Sequence, residues 1–339
     1  MTADLPPAVP AQPAAPHFHR GVLAIDAAAT AARIQEWLHE TVARHLHRRG
    51  AVVAVSGGVD SAVCAALAQR TFGAERVHAL FLPGHNSQPA SGERARALCA
   101  GLGIPLEEQP IEPALRELGC YAARDAAIRS VFPEYRPGDR YKIAIAGGLL
   151  ERDRASVFDL VVERPDGTLQ RARLPLDAYL QLVAATNMKQ RTRMLLSYHA
   201  AERRNYAVIG TPNRLEYAQG FFVRGGDGLA DCKPIAHLYK TQVFQLAAHL
   251  GVPRSIQDAV PSTDTYSLPQ TQEEFFFALP YGELDLLLWA QDHNVPIAEV
   301  ARAMDLPEAA VLRVFRDLDS KRAAARRLLQ QAPLVENAP

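Results

Sequence analysis

The chain has 339 residues, with 37 acidic and 37 basic side chains. That length holds one large or two ordinary domains around a sizeable core. The balanced charge argues against a long nucleic-acid footprint or a membrane-surface role. Four scattered cysteines, Cys64, Cys99, Cys120 and Cys232, include no CxxC pair, which argues against a zinc ribbon, a redox motif or a disulfide framework and for a reducing cytoplasm. No apolar run approaches the roughly 18 residues of a membrane span. Residues 1–19 are rich in Pro and Ala without a basic and then apolar order, so they read as a flexible tail and not as a signal peptide. Residues 334–339 read as a second, short tail, leaving 20–333 as one domain.

In chain order, Ile25 to Arg49 carries Ile34, Trp37, Leu38, Val42 and Leu46 at helical spacing, which predicts a core-packing amphipathic helix. Ala51-Val-Val-Ala-Val then reads as a short buried parallel strand. It runs into Ser56-Gly57-Gly58-Val59-Asp60-Ser61 and on into a strong helix-forming run, Ala62 to Ala68. A second strand, Arg76 to Leu82, ends at Pro83–Ser87. A helix follows from about Pro89 to Gly101, then a third strand unit between Gly103 and Ile111. Strands alternating with helices imply right-handed crossovers, and so an α/β fold with a mainly parallel twisted sheet and helices on both faces.

Between about residues 120 and 176 the texture changes. Phe158–Val162 and Thr168–Leu174, joined through Pro165-Asp-Gly167, predict a β-hairpin inserted on the core as a lid, an oligomer contact or an ornament. A long helix is expected from Asp177 to about Arg204, then a buried strand at Asn205–Gly210. Thr211 is the expected N-cap of the next helix, with Pro212 at its first position. The loop Arg224–Pro234 holds Asp227 and Asp231, Leu238-Tyr239-Lys240 opens another helix, and Pro261–Tyr266 is a polar loop. The remainder reads as helical and ends in a basic segment around Lys321 and Arg322. No internal repeat is present.

A strand, a Gly-rich turn and a helix N-terminus make an anion site. Glycines let backbone N–H groups approach a phosphate, and the helix dipole favours negative charge there. Ser56 and Ser61 can add hydroxyl donors. The Walker and dinucleotide fingerprints are both absent. The later residues have bland readings when taken singly. Arg191 and Arg193 suit a solvated helix face, Asp227 and Asp231 suit turns, Lys240 suits a surface, and Glu216 suits a helix first turn.

Ser-Gly-Gly-Val-Asp-Ser after a hydrophobic strand resembles the pyrophosphate loop of the ATP pyrophosphatases. The later order Asn187-x-Lys-x-Arg191-x-Arg193-Met, Gly210-Thr-x-Asn-x-x-Glu216, Gly226-Asp-Gly-x-x-Asp231, Tyr239-Lys-Thr-Gln and Pro261-Ser-x-Asp resembles the NAD synthetase family. The resemblance implies an adenine nucleotide alpha hydrolase-like, Rossmann-like fold. It also implies an enzyme that adenylates the nicotinate carboxylate of nicotinic acid adenine dinucleotide with ATP and Mg²⁺, after which ammonia displaces AMP. By resemblance, Ser56, Gly57, Gly58, Asp60 and Ser61 hold the pyrophosphate. Thr211, Lys240 and Ser262 contact ATP, and Asp60 and Glu216 hold the metal. Asn187, Arg191, Asp227, Asp231 and Lys321 surround the dinucleotide, with Asp60, Lys240 and Asp227 nearest the chemistry.

The same resemblance implies a homodimer and no nucleic-acid or membrane partner. No cysteine sits in a glutaminase setting, so the ammonia is free or comes from a separate glutaminase partner. Departures such as Pro212, Arg214-Leu215, Leu229 and the insertion keep a different carboxylate substrate as the alternative. A tRNA-modifying pyrophosphatase conflicts with the neutral charge and scattered cysteines. A degenerate nucleotide binder conflicts with the joint presence of Asp60, Glu216 and Lys240.

Overall fold

The computed structural model describes residues 17–145, 158–260, 266–268 and 279–332. The elements before the insertion are α1 (Ala27–His39), continued by a π-helical turn (Glu40–His45), β1 (Ala51–Ala54), α2 (Val59–Phe72), β2 (Val77–Phe81), α3 (Pro89–Leu102), β3 (Leu106–Glu108), α4 (Glu112–Glu117) and α5 (Cys120–Arg129). The chain continues through β4 (Arg140–Ile145), β5 (Phe158–Glu163), β6 (Leu169–Arg173), α6 (Leu176–Glu202), β7 (Ala207–Ile209) and α7 (Arg214–Gln219). It ends with α8 (Lys240–Leu250), α9 (Arg254–Gln257), α10 (Tyr281–Asp292), α11 (Ile297–Met304) and α12 (Glu308–Leu329).

The core is a four-stranded parallel sheet in the order β3-β2-β1-β7. The chain winds outward from β1 to β3 and then returns to place β7 on the other side of β1. The carboxyl end of β1 is therefore the topological switch point, where open α/β sheets bind ligands. One face of the sheet packs through Val53, Val63, Leu67, Val243 and Leu246 onto α1, α2 and α8. The other packs through Val52, Leu80 and Val208 onto α4, α5 and α6. β1 and β2 are buried along almost their whole length. A parallel strand covered on both faces requires this, and it explains their unbroken apolar text.

The first helix corrects the sequence reading in part. Ile34, Leu38 and Val42 are buried, but Trp37 is 44% exposed at the edge of the buried face, and Leu46 is 37% exposed just past the π turn at Glu40–His45, which shifts the helix face. The end of the expected tail is also packed. Phe18 is buried, its ring 5.9 Å from Trp289, and its backbone N–H donates to Glu299 at 3.0 Å. With Leu23 it completes a helical core built from α10, α11 and α12.

The predicted hairpin is present as β5 and β6, closed by Arg164 and Thr168 around Gly167, whose φ is +85°. It belongs to a larger unit, since β4 pairs antiparallel with β5 to make a three-stranded sheet. Its inner face (Tyr141, Ile143, Leu160, Val162) packs on Ile128, Ala178 and Leu182 of α5 and α6. β4 escaped sequence reading because Arg140-Tyr-Lys-Ile-Ala-Ile is short and no tight-turn signal links it to β5. Residues 146–157 lie outside the described residues. No described helix is long and apolar enough to cross a membrane.

Candidate active site

The loop after β1 is held by its own side chains. The buried Ser61 hydroxyl donates to the Gly58 carbonyl at 3.0 Å and accepts from the Ser56 N–H at 3.1 Å. Ser56 Oγ lies 3.2 Å from Ser61 Oγ and accepts from the Gly58 N–H at 3.3 Å. Ser61 therefore braces the loop, and Ser56 is the more exposed hydroxyl. Gly57 is needed twice over: its φ is +80°, and a Cβ there would stand 2.4 Å from the Ser91 carbonyl oxygen. Arg94, on α3, donates to the Gly57 carbonyl at 2.9 Å and to Ser91 Oγ at 3.1 Å, which locks the loop from outside. Sequence reasoning missed Arg94, because one arginine on a helix carries no signal. Below the loop the first-turn amides of α2 lack helical partners and face the switch point.

Asp60 sits in that first turn. One carboxylate oxygen accepts from Asn213 Nδ2 at 3.1 Å, and the other is paired with Lys240 Nζ. Lys240 opens α8 and is 1% exposed. Burial works against its charge, but Asp60, with Glu216 behind it, holds the ammonium above the ordinary lysine value. The rings of Tyr281 and Phe244 flank the ammonium at 5.4 and 5.9 Å.

Glu216 is buried in α7. Burial first and the Asp60 charge second push its carboxyl up to about 8, against the pull of Lys240 and the Asn213 N–H. Thr211 is not the N-cap of this helix. The cap is Asn213, in a reciprocal capping box in which Asn213 Oδ1 accepts from the Glu216 N–H at 3.1 Å and Glu216 Oε2 accepts from the Asn213 N–H at 3.2 Å. Asn with Glu three positions on satisfies two orphan amides, which Thr211-Pro212 cannot do. Asn213 thus fixes both carboxylates at once. Thr211 lies half-buried between Gly210 and this box.

The other candidates divide. Asp227 is half-buried in its loop, where Oδ1 accepts from the Val223 N–H at 2.7 Å. Burial raises its carboxyl, and its charge reaches Glu216. Arg191 is exposed on α6, one turn beyond half-buried Asn187, and its Nε donates to the Arg224 carbonyl at 3.2 Å, tying helix to loop. Arg193 Nε donates to the Leu82 carbonyl at 3.0 Å, at the carboxyl end of the β2 segment. Asp231 accepts from Tyr198 Oη at 3.2 Å and from the Val208 N–H at 2.8 Å, so both oxygens already extend the sheet edge. Lys321 pairs with Asp317 at 2.8 Å on its own helix, and Arg322 pairs with Asp292. Arg214, a departure in the motif text, also binds Asp292, through Nε at 2.8 Å and a terminal nitrogen at 2.6 Å. Ser262 lies outside the described residues.

Asp60, Glu216 and Lys240 are thus gathered around Asn213 at the switch point, beside a backbone anion loop. Two carboxylates against one ammonium leave a negative remainder in a buried place once Glu216 gives up its proton. A hard divalent ion fits that donor set: its missing ligands would be waters and phosphate oxygens, and its charge would relieve the proton affinity of Glu216. Among the described residues no group of three or more acidic, histidine or cysteine side chains is arranged to hold a metal ion.

Fold and site together set a glycine-rich loop, a helix N-terminus and the Asp60–Lys240–Glu216 cluster at the switch point of a parallel α/β sheet. The family model for NAD synthase matches residues 30–132 and 162–326. The chain belongs to that family. The unmatched internal stretch, 133–161, contains β4 and the first four residues of β5. An NH(3)-dependent NAD(+) synthetase of Rhizobium meliloti is 49% identical over 319 residues, covering 94% of this chain and 95% of that protein. One from Thermotoga maritima is 37% identical over 251 residues, covering 74% of this chain and 83% of that protein. Among solved structures, an NMN synthetase from Francisella tularensis has a TM-score of 0.60 at 24% identity, covering 92% of this chain and 99% of that one. An NH3-dependent NAD synthetase from Campylobacter jejuni has a TM-score of 0.59 at 21% identity, covering 92% and 100%. These two likenesses support the parallel α/β fold.

Proposed function

We propose that this chain is an ammonia-dependent NAD synthetase, an ATP-consuming amide ligase. The carrying observation is the Asp60–Lys240–Glu216 set, joined by Asn213 and placed under a phosphate-binding loop at the sheet's switch point. A nicotinate carboxylate oxygen attacks the α-phosphorus of ATP, the bond to the β-phosphate oxygen breaks, and pyrophosphate leaves. Ammonia then adds to the acyl-adenylate carbon, loses a proton, and AMP leaves as the amide forms.

In this reading, the loop amides and the α2 N-terminus hold the leaving pyrophosphate. Lys240 supplies a fixed positive charge that cannot drift, because it is buried and paired. Asp60 and Glu216 are the residues that would hold Mg²⁺, which when bound would screen phosphate charge. Asn187, Arg191 and Asp227 line the side toward α6, where we place the dinucleotide. Asp231 and Lys321 belong to this reading only as supports of that side, given their existing partners. Ser262 and Thr211 are retained as proposed ATP contacts.

A homodimer is part of the proposal. Leu176, Leu180 and Leu195 of α6 are 68%, 54% and 68% exposed, apolar surface that a second copy would cover. A cytoplasmic setting is supported by four cysteines that are all free and buried. Ammonia is taken free or from a separate glutaminase.

The deciding measurement is AMP release by the purified protein with ATP, Mg²⁺ and ammonium, with and without nicotinic acid adenine dinucleotide. Dinucleotide-dependent AMP with stoichiometric NAD is expected. ATP binding without dinucleotide-dependent turnover would overturn the substrate assignment.

A further inference from the structure

The antiparallel sheet β4-β5-β6 holds a piece of chain that is not its own. Residues 266–268 lie along the free edge of β4. The Leu268 N–H donates to the Tyr141 carbonyl at 3.0 Å, and the Tyr141 N–H donates to Ser267 Oγ at 2.8 Å. Tyr266 is 4% exposed inside the core of this sheet, its ring 5.6 Å from Tyr141 at 73°, an edge-to-face contact. Two backbone ties and a buried aromatic anchor make this a built junction.

The place of that segment in the chain gives the junction its consequence. It lies midway in the connection from α9, which ends at Gln257, to α10, which begins at Tyr281. On one side the connection follows α9, which comes directly after α8, and on the other it leads into α10; α8 and α10 both hold the buried lysine. α8 begins with Lys240 itself, α10 places the Tyr281 ring 5.4 Å from Lys240 Nζ, and Asp285 of α10 accepts from the Thr241 N–H at 2.8 Å. Pinning its middle restricts where α10 can sit against Lys240. The inner face of the sheet also packs on the first half of α6, the helix of Asn187 and Arg191. The sheet therefore touches both sides of the site without entering it.

We propose that this sheet is a positioning device for nucleoside triphosphate binding: its edge strand β4 anchors residues 266–268 and thereby holds the connection that leads into α10, one of the two helices that fix Lys240. Tyr266 and Ser267 are its positioning residues. The consequence for ATP rests on the functional reading above, whereas the anchoring does not.

The test compares Tyr266→Ala, Ser267→Ala and Ser267→Thr with Arg171→Ala, a change on the outer face of the same sheet, where Arg171 pairs with Asp159 at 2.6 Å. Two quantities are read: the affinity for α,β-methylene ATP with Mg²⁺, and amide hydrogen exchange in peptides from the 266–284 region and from β1–α2. Tyr266→Ala and Ser267→Ala should each speed exchange in the first peptides, leave β1–α2 protected, and weaken the analogue about tenfold. Ser267→Thr keeps the hydroxyl and should stay close to wild type, as should Arg171→Ala. Faster exchange with unchanged analogue affinity would overturn the positioning role, and unchanged exchange would overturn the anchor itself. If the wild type bound the analogue but made no NAD, the functional reading would fail while both quantities still decided this proposal.

Discussion

Two charge clusters flank α7, and they are built to opposite ends. On one side Lys240 stands between Asp60 and Glu216; on the other Asp292 stands between Arg214 and Arg322, with Tyr239 Oη donating to it at 2.8 Å. The first cluster sets two carboxylates against one ammonium where water screens poorly. Burial first, and the Asp60 charge second, push Glu216 up to about 8, so near neutral pH it holds a proton and a negative remainder appears when that proton leaves. The second keeps a positive remainder, but its Arg214 and Arg322 side chains are 35% and 24% exposed, so solvent spreads that charge. A buried charge left uncompensated marks where a ligand belongs. A screened network staples α7 to α10 and α12.

The sharpest break of this contrast is Asp60→Asn. The isostere keeps the hydrogen-bond geometry toward Asn213 and removes the charge facing Lys240. AMP release should fall by about 10³-fold or more, since both the proposed metal ligand and the partner of the lysine are lost. Rates within tenfold of wild type would remove Asp60 from the chemistry.

Lys240→Met tests the same cluster from the other side. Transition-state stabilisation should drop by about 2–4 kcal/mol. Stability should also fall, on the order of 3 kcal/mol, because two buried carboxylates lose their counter-ion. Mg²⁺ should recover part of that stability in the variant, measured as a larger metal-induced rise in Tm than wild type shows. A variant with no added response to metal would contradict the reading of the negative remainder.

Asp292→Ala breaks the structural cluster instead. Two guanidiniums would then face each other, and we expect a loss of about 2–3 kcal/mol, discounted from the buried-pair range for their exposure. The molecules still folded should bind α,β-methylene ATP normally. A specific loss of that binding at unchanged Tm would show that the two clusters are not separate.

The sequence carried much of the first cluster and none of the second. Ser56 to Ser61 is legible because a strand, glycines and a helix start are local in the chain, and local chemistry leaves a local signature. Asp60, Glu216 and Lys240 came from the order of motifs, but their joining through Asn213 did not, since only folding brings α2, α7 and α8 together. The same Asn213 was passed over as a cap because Thr211-Pro212 offers an acceptable signal two positions earlier. Asp292 and Arg322 look like any helix-face charges until the helices pack. β4 stayed hidden because no tight-turn signal such as the Asp-Gly of the β5–β6 hairpin joins it to β5, and the pairing, not propensity, makes the strand.

Asp285 offers the finest test of the first cluster's surroundings. It is fully buried in α10, and its Oδ2 accepts the Thr241 N–H, which fixes the first turn of α8. Burial pushes its carboxyl up to about 6, only partly offset by the Thr241 bonds and by Lys240. A carboxyl raised in the fold holds its proton more tightly there than in the unfolded chain. Its contribution to stability is therefore full below about pH 4 and is lost as pH rises toward about 6. Asp285→Asn keeps an acceptor for Thr241 and cannot ionise. It should match wild type near pH 4 and exceed it above pH 6 by on the order of 2 kcal/mol, read as denaturant midpoints across that range. A variant weaker than wild type above pH 6 would mean that the Asp285 charge is needed to hold Lys240, and would draw this aspartate into the charged cluster that α7 and α8 share.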